Sequence, residues 1–283
     1  MIGKMLVVLD DSEHSLHGLK EALALARSEK SRIELVAVVP PFDGDLRIMG
    51  KKGILADQQA AFEAVLEKGL AISKSFGIAA KSVLLEGEPF EQILFRAEES
   101  NVDLIVITKK NPYPMDLIPI GAVATRVIGQ GEKDVLIISK DSCLTLEKIV
   151  LAYDNSENAI KAAQKAFEMA LAYGSELLVA TVFEVPLEGF ALSPELWNKI
   201  GNEARQIQAA VVEKAREMGV RKIETAVRHG STYQELIKLA REVQAGIIMM
   251  GAKKKSGMFK FRLGNVMERV ISNGSIPVWV ANS

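Results

Sequence analysis

One cysteine in 283 residues cannot form an internal disulfide, so the fold must be held by its own packing. That residue, Cys143, suits a reducing compartment, and it falls in a short polar stretch, KDSCLTLEK. Histidine is almost as scarce. His14, His17 and His229 show no ligand spacing, so no structural metal is expected. Aromatic residues make up 6% of the chain and are not interleaved with basic ones, as a nucleic-acid surface would require. Formal net charge is −1, which supplies no general drive toward nucleic acid or acidic membranes. Apolar runs such as LIVI and IIMM are far too short to cross a bilayer. Walker A, Cys-x-x-Cys and nucleophile-elbow motifs are missing, and no acid–base pair accompanies a placed nucleophile, so a dedicated enzyme is not expected. The chain opens almost at once on strand-like MLVVLD. Without a basic segment, apolar stretch and cleavage site, the expectation is no signal peptide and a cytoplasmic location. What is present is the composition of a globular protein, 48% apolar and 25% charged.

The chain is written twice. VVLDDSEHSLHGL, from Val7, returns as LAYDNSENAIKA, from Leu151, which sets Asp10 against Asp154 and Ser12 against Ser156. VDLIVITKK, from Val102, returns as AGIIMMGAK, from Ala245, and Gly121 is matched by Gly264. A repeat of half the chain is a duplicated domain, because solenoid and propeller periods are much shorter. The expected domains are 1–142 and 143–283. They differ in charge: 17 Lys/Arg against 21 Asp/Glu in the first, 18 against 15 in the second, or −4 and +3.

Within each half, short Val/Ile-rich runs alternate with amphipathic stretches. The runs are MLVVLD, IELVAVV, KSVLLE, DLIVIT and DVLIIS, then KIVLAYD, ELLVATVF, IETAVR, GIIMMG and PVWVAN. Their nearly continuous apolar character predicts strands buried on both faces of a parallel sheet. HSLHGLKEALALARSE, NAIKAAQKAFEMALAYG, FEQILFRAEES and YQELIKLAREV carry the three- and four-residue spacing of helices. The fold class is therefore α/β: two tandem doubly wound domains, each an open five-stranded parallel sheet with helices on both faces. The longest irregular pieces, PPFDGDLRIMGKKGI and EVPLEGFALSPEL, follow the second strand of each half.

Such sheets bind ligands beyond the carboxyl ends of their strands, where the strand order reverses. After the first strand stand Asp10-Asp11-Ser12 and Asp154-Asn155-Ser156. Ser12 and Ser156 are natural helix N-caps, whereas the aspartate could accept a hydrogen bond from a ribose or base. After the fourth strand the copies part. The second continues Gly251-Ala-Lys253-Lys254-Lys255-Ser-Gly257, then reaches Gly264-Asn265 at the start of a helix. Glycine permits close backbone approach, and a helix N-terminus offers free N–H groups to a phosphate. A solvated basic loop with a turn glycine is the plainer alternative. The first copy has Thr108 in place of the glycine, then Asn111, three prolines (Pro112, Pro114, Pro119) and Asp116, and is unsuited to phosphate.

In these residues the chain resembles the universal stress protein (UspA-like) family, as two domains in one polypeptide. The resemblance implies an adenine nucleotide alpha hydrolase-like fold. It also implies a nucleotide motif made of a strand-one Asp, a Val late in strand two, and G-x2-G-x9-G-[S/T]. Asp154, Val182, Gly251, Gly264 and Asn265 fall on those places, with Lys254 at the middle glycine and Asn265 at the final Ser/Thr. In the first half Asp10, Val38 and Gly121 match, but Thr108, Asn111 and Ala122 do not. The resemblance thus implies ATP or AMP, with or without Mg, in the second domain only. Asp154 would hold the ribose or base, Val182 the adenine, and the loop with Lys253 and Lys254 the phosphates. Lys254 either strains that turn or lies over a phosphate. The family's pairing of last strands implies that VLIIS meets VWVAN within the chain, leaving other faces for homo-oligomers. The role implied is regulatory, in stress response. The alternatives are a nucleotide-free interaction module of the same fold, or a weak ATPase or autokinase without an identifiable catalytic residue.

Overall fold

A computed structural model describes residues 2–10, 12–41, 51–109, 121–184, 194–252 and 265–282, except for the side chains of 51–56, 194–198 and 265. The chain divides into two units, Met1–Lys140 and Asp141–Ser283. In unit 1 the elements run β1 (Lys4–Val8), α1 (Glu13–Glu29), β2 (Arg32–Val39), α2 (Lys51–Ser75), β3 (Ala80–Glu86), α3 (Pro89–Glu99), β4 (Leu104–Lys109), α4 (Ala122–Gln130) and β5 (Asp134–Ser139). Unit 2 repeats them as β6 (Lys148–Ala152), α5 (Glu157–Tyr173), β7 (Glu176–Phe183), α6 (Pro194–Glu217), β8 (Ile223–His229), α7 (Thr232–Glu242), β9 (Ile247–Gly251), α8 (Asn265–Asn273) and β10 (Val278–Ala281).

The strand order in unit 1 is β3-β2-β1-β4-β5, and in unit 2 it is β8-β7-β6-β9-β10. Every pair within a unit is parallel. The order reverses between β1 and β4 and between β6 and β9, which is where a doubly wound sheet opens a crevice. Burial explains the apolar runs. Met5, Leu6 and Val7 of β1, and Ile149, Val150 and Leu151 of β6, have essentially no exposed surface because helices cover both faces.

Small residues bring the helices close. Helix α5 buries Ala159, Ala162, Ala163, Ala166 and Ala170 along one face, and α1 buries Ser15, Gly18, Ala22 and Ala26 at matching positions. Both helices start at a serine cap. Ser12 accepts the N–H of Ser15, and Ser156 accepts that of Ala159. The two long irregular pieces expected after β2 and β7 are shorter than the sequence suggested. Residues 51–54 already belong to α2, and Pro194 opens α6, a position where its missing N–H costs nothing. Residues 42–50 and 185–193 lie outside the described residues.

Candidate functional site

At the carboxyl edge of unit 2 a cavity of about 430 Å³ opens at the β6/β9 switch point. Its walls come from the ends of β6, β7 and β9 and the first turns of α5, α7 and α8. Ala152, Tyr153, Asp154, Ser156, Asn158, Ala159, Ala180, Val182, Thr232, Leu236, Met250, Gly251, Val266 and Met267 line it. Its size falls within the range of small-ligand sites. Three of the sequence-predicted residues, Asp154, Val182 and Gly251, are brought together here. Asn265 opens α8 at the same edge, while Lys253, Lys254 and Gly264 lie outside the described residues.

Asp154 does more than face the cavity. Its Oδ1 accepts the N–H of Ser156 at 3.0 Å and the Ser156 hydroxyl at 2.6 Å. Ser156 Oγ in turn accepts the N–H of Ala159 at 3.3 Å. The aspartate therefore holds the helix cap in place, and only Oδ2 lacks a partner among the described residues. Asp10 repeats this arrangement in unit 1, accepting the Ser12 N–H at 2.9 Å and the Ser12 hydroxyl. Asn155, between Asp154 and Ser156, takes φ +61°, a left-handed conformation that asparagine tolerates.

Gly251 has a packing reason of its own. A Cβ there would lie 2.1 Å from the carbonyl oxygen of Asn158 and 2.8 Å from the nitrogen of Ala159. The first turn of α5 rests directly on the end of β9. In unit 1 the strand carries Thr108 and the helix supplies the glycine instead. A Cβ on Gly18 would lie 2.0 Å from Thr108 Oγ1. The glycine in GIIMMG, read from sequence as room for a phosphate, is thus required by helix–strand contact whether or not a phosphate binds.

Four further lining residues escape a single-sequence reading. Tyr153 is buried, and its hydroxyl donates to Asn155 Oδ1 at 3.1 Å. Burial, with the Asp154 charge beside it, pushes the phenol above its usual range. Asn158 stands in the first turn of α5, and its side chain has no partner among the described residues. Thr232 opens α7, with its N–H donating to Glu184 Oε1 at 2.7 Å. That bond and one from the Thr232 side chain hold the Glu184 carboxyl below its usual range, with Arg269 adding attraction and burial opposing. Met267 closes the wall from α8. Comparing the copies could have flagged the first three, because Leu9, His14 and Pro89 stand at their positions in the first half.

Chemically, the cavity offers one carboxylate, hydroxyls, an amide and apolar walls. No His, Cys or Lys lines it among the described residues. No trio of His, Cys, Asp or Glu able to hold a metal occurs among those residues, and no helix is long and apolar enough to cross a membrane.

Comparison with known proteins gives the same duplication. The profile of the Universal stress protein family matches residues 1–139 and again 145–282. A universal stress protein of Methanocaldococcus jannaschii is 35% identical over 141 residues, 47% of this chain and 81% of that protein. The universal stress protein YxiE of Bacillus subtilis is 28% identical over 144 residues, 47% of this chain and 97% of that protein. The crystal structure of a universal stress protein from Archaeoglobus fulgidus superposes with a TM-score of 0.78 at 21% identity, covering 98% of this chain and 95% of that one. With both halves matched and the α/β fold shared, this chain belongs to the universal stress protein family, with two copies of its domain in tandem.

Proposed function

We propose that unit 2 binds an adenine nucleotide, ATP or AMP, at the carboxyl edge of its sheet and serves a regulatory role in stress response rather than a catalytic one. The observation that carries this reading is the cavity at the β6/β9 switch point, where Asp154, Val182 and Gly251 converge beside the first turns of α5 and α8. Asp154 Oδ2 accepts from the ribose or base. The backbone at Val182 meets the adenine. Gly251, Lys253, Lys254, Gly264 and Asn265 belong to the segment that faces the phosphates, where helix N-termini favour anions. One nucleotide binds per chain, because the first half carries Thr108, three prolines and Asp116 in the corresponding loop.

Since Asp154 also supports a cap, alanine would confound binding with stability. Asp154→Asn keeps Oδ1 for Ser156 and removes the charge, so it is the cleaner probe. It should weaken ATP or AMP by roughly 1.5–3 kcal/mol, one to two orders of magnitude in Kd. Asp10→Asn should leave binding unchanged. Titration calorimetry on the full chain decides, and a stoichiometry near two or equal losses in both variants would overturn the assignment. A second reading, a nucleotide-free interaction module, draws support from the packing of Gly251 against Asn158, which accounts for that glycine without a phosphate. No heat and no shift in Tm with ATP, ADP or AMP would favour it, since a ligand at a hundred times Kd adds about 2.7 kcal/mol of stability.

A further inference from the structure

Strand order lays out the carboxyl edge of unit 2 in a line. There β7 ends just beyond Val182, β6 leads into Asp154 and β9 ends at Gly251, with β6 between the other two. A nucleotide that puts its base at Val182 and its ribose at Asp154 brings its next group, the phosphate, over the end of β9. Asn158 stands at that end. Its carbonyl oxygen is what a Cβ on Gly251 would meet at 2.1 Å, so the first turn of α5 touches the last residue of β9. Asn158 lines the cavity, is half-buried, and has no partner for its side-chain amide among the described residues. The helix start around it holds further open donors. The cap uses the N–H of Ser156, given to Asp154 Oδ1, and that of Ala159, given to Ser156 Oγ. The N–H groups of Glu157 and Asn158, between them, meet no acceptor among the described residues.

We propose that Asn158 is a specificity-determining residue of this site, donating its side-chain N–H to the phosphate next to the ribose while Asp154 takes the ribose itself. The inference rests on the nucleotide reading given above. Charge divides the two roles. The Asp154 carboxylate only accepts, so it suits hydroxyl or base donors and repels a phosphate. The Asn158 amide carries two donors and no charge. Asp154 commits Oδ1 to the helix cap, whereas the Asn158 amide keeps its whole capacity for a ligand. The amide also stands at the start of a 17-residue helix, whose positive dipole end favours an anion at the same place. A hydrogen bond to an ionised acceptor is about twice as strong as one between neutral groups, so a phosphate gains more from this amide than a hydroxyl does. Unit 1 has His14 and Thr108 at the positions of Asn158 and Gly251. The amide and the strand-end glycine therefore occur together in unit 2 alone.

Two substitutions at Asn158 separate a phosphate donor from a ribose acceptor. Titration calorimetry on the full chain with AMP, and with ATP in parallel, should find Asn158→Ala weakened about tenfold, the loss of one hydrogen bond to a charged group. Asn158→Asp should lose at least about threefold more, because its carboxylate repels the phosphate. With adenosine, which has no phosphate, both variants should stay within about twofold of the unmodified chain. Folding does not account for this order. Asn158→Asp places a carboxylate in the first turn of α5, where the helix dipole favours it, so thermal unfolding should find that variant at least as stable as the unmodified chain. The proposal is overturned if Asn158→Asp binds AMP as tightly as Asn158→Ala or tighter, since a carboxylate replaces an amide that accepts from a ribose hydroxyl. It is equally overturned if neither variant departs from the unmodified chain, or if adenosine and AMP lose affinity alike. In those cases the unmodified chain still binds AMP or ATP, and only the role of Asn158 is removed. An unmodified chain that binds none of AMP, ADP and ATP removes the nucleotide reading, and this inference with it.

Discussion

At the amino edge of its sheet, unit 1 buries charge where unit 2 buries leucine. Glu34 of β2 has 2% of its side chain exposed and is gripped by Lys4 Nζ and Arg96 Nε, each at 2.5 Å. The Ser100 hydroxyl donates to the same carboxylate at 3.2 and 3.3 Å. Burial alone would raise the Glu34 pKa, but the hydrogen bonds and charges of Lys4 and Arg96 outweigh it and hold the group below its ordinary value. In unit 2 the corresponding residues are Leu178, Lys148, Leu239 and Val243. Leu178 and Leu239 are buried, and Lys148 turns to the exposed Glu176 at 2.9 Å. The same strand order is built in both cases, so the fold does not depend on which solution fills this position. An ion pair taken out of water gives back in desolvation much of what it gains by attraction, which is why either choice serves.

The largest effect should come from breaking that charge cluster by halves. Arg96→Leu leaves a buried carboxylate with Lys4 as its one cation beside the Ser100 hydroxyl and should cost about 2–3 kcal/mol. This is less than for a fully buried pair, because Arg96 keeps 26% of its side chain in water. The triple change Glu34→Leu, Arg96→Leu and Ser100→Val installs the residues of unit 2, and chemical denaturation should find it neutral or more stable. A triple variant as unstable as the single one would show that the two edges are not interchangeable.

Next comes the reciprocal glycine. Gly18→Ala places a Cβ 2.0 Å from Thr108 Oγ1 and should destabilise unit 1 by about 1–3 kcal/mol. Adding Thr108→Gly reproduces the Ala162/Gly251 pair of unit 2 and should restore most of the loss. A double-mutant cycle showing simple additivity would mean that the two residues do not share one space.

The caps should separate the copies more finely. Ser156→Ala removes an acceptor for the Ala159 N–H and should cost about 1 kcal/mol. Ser12→Ala should cost less, because Ser15 Oγ also donates to the carbonyls of Asp10 and Ser12 at 3.0 and 2.9 Å, and unit 2 has Ala159 in that place. Equal losses in thermal unfolding would remove this distinction.

Acid should produce the smallest difference. A carboxylate with a lowered folded pKa contributes stability that is present above the unfolded value and lost as pH falls through the folded one. Glu34 has this behaviour and is buried, whereas the lowered carboxyls of unit 2, Glu176 and Glu184, are exposed and contribute less, so amide exchange in unit 1 should rise before that in unit 2 as pH falls below about 4.5, the ordinary glutamate value. Glu34→Leu in the triple variant should abolish the lag between the units, and simultaneous loss in the unmodified chain would sink the explanation.

Much of this protein is determined locally and could be read from its letters. The duplication, the alternation of Val/Ile runs with three- and four-residue spacing, and the serines before α1 and α5 each involve neighbours along the chain. Backbone preference and burial on one or both faces follow from such neighbours. From these came the five-stranded α/β repeat and the expectation of a site beyond the carboxyl ends of its strands, whereas Val182 and the nucleotide motif came only with the family resemblance and the strand order only with the structure. Tertiary structure alone decided why those residues are there and what else surrounds them. Gly251 answers to the backbone of Asn158, 93 residues earlier by their numbers. Glu34 answers to Lys4 and Arg96, on a strand and a helix that meet only after the sheet is assembled. No local pattern encodes these contacts, because each residue's neighbour is chosen by packing between elements distant in the chain, and packing responds to shape and volume rather than to polarity along the sequence.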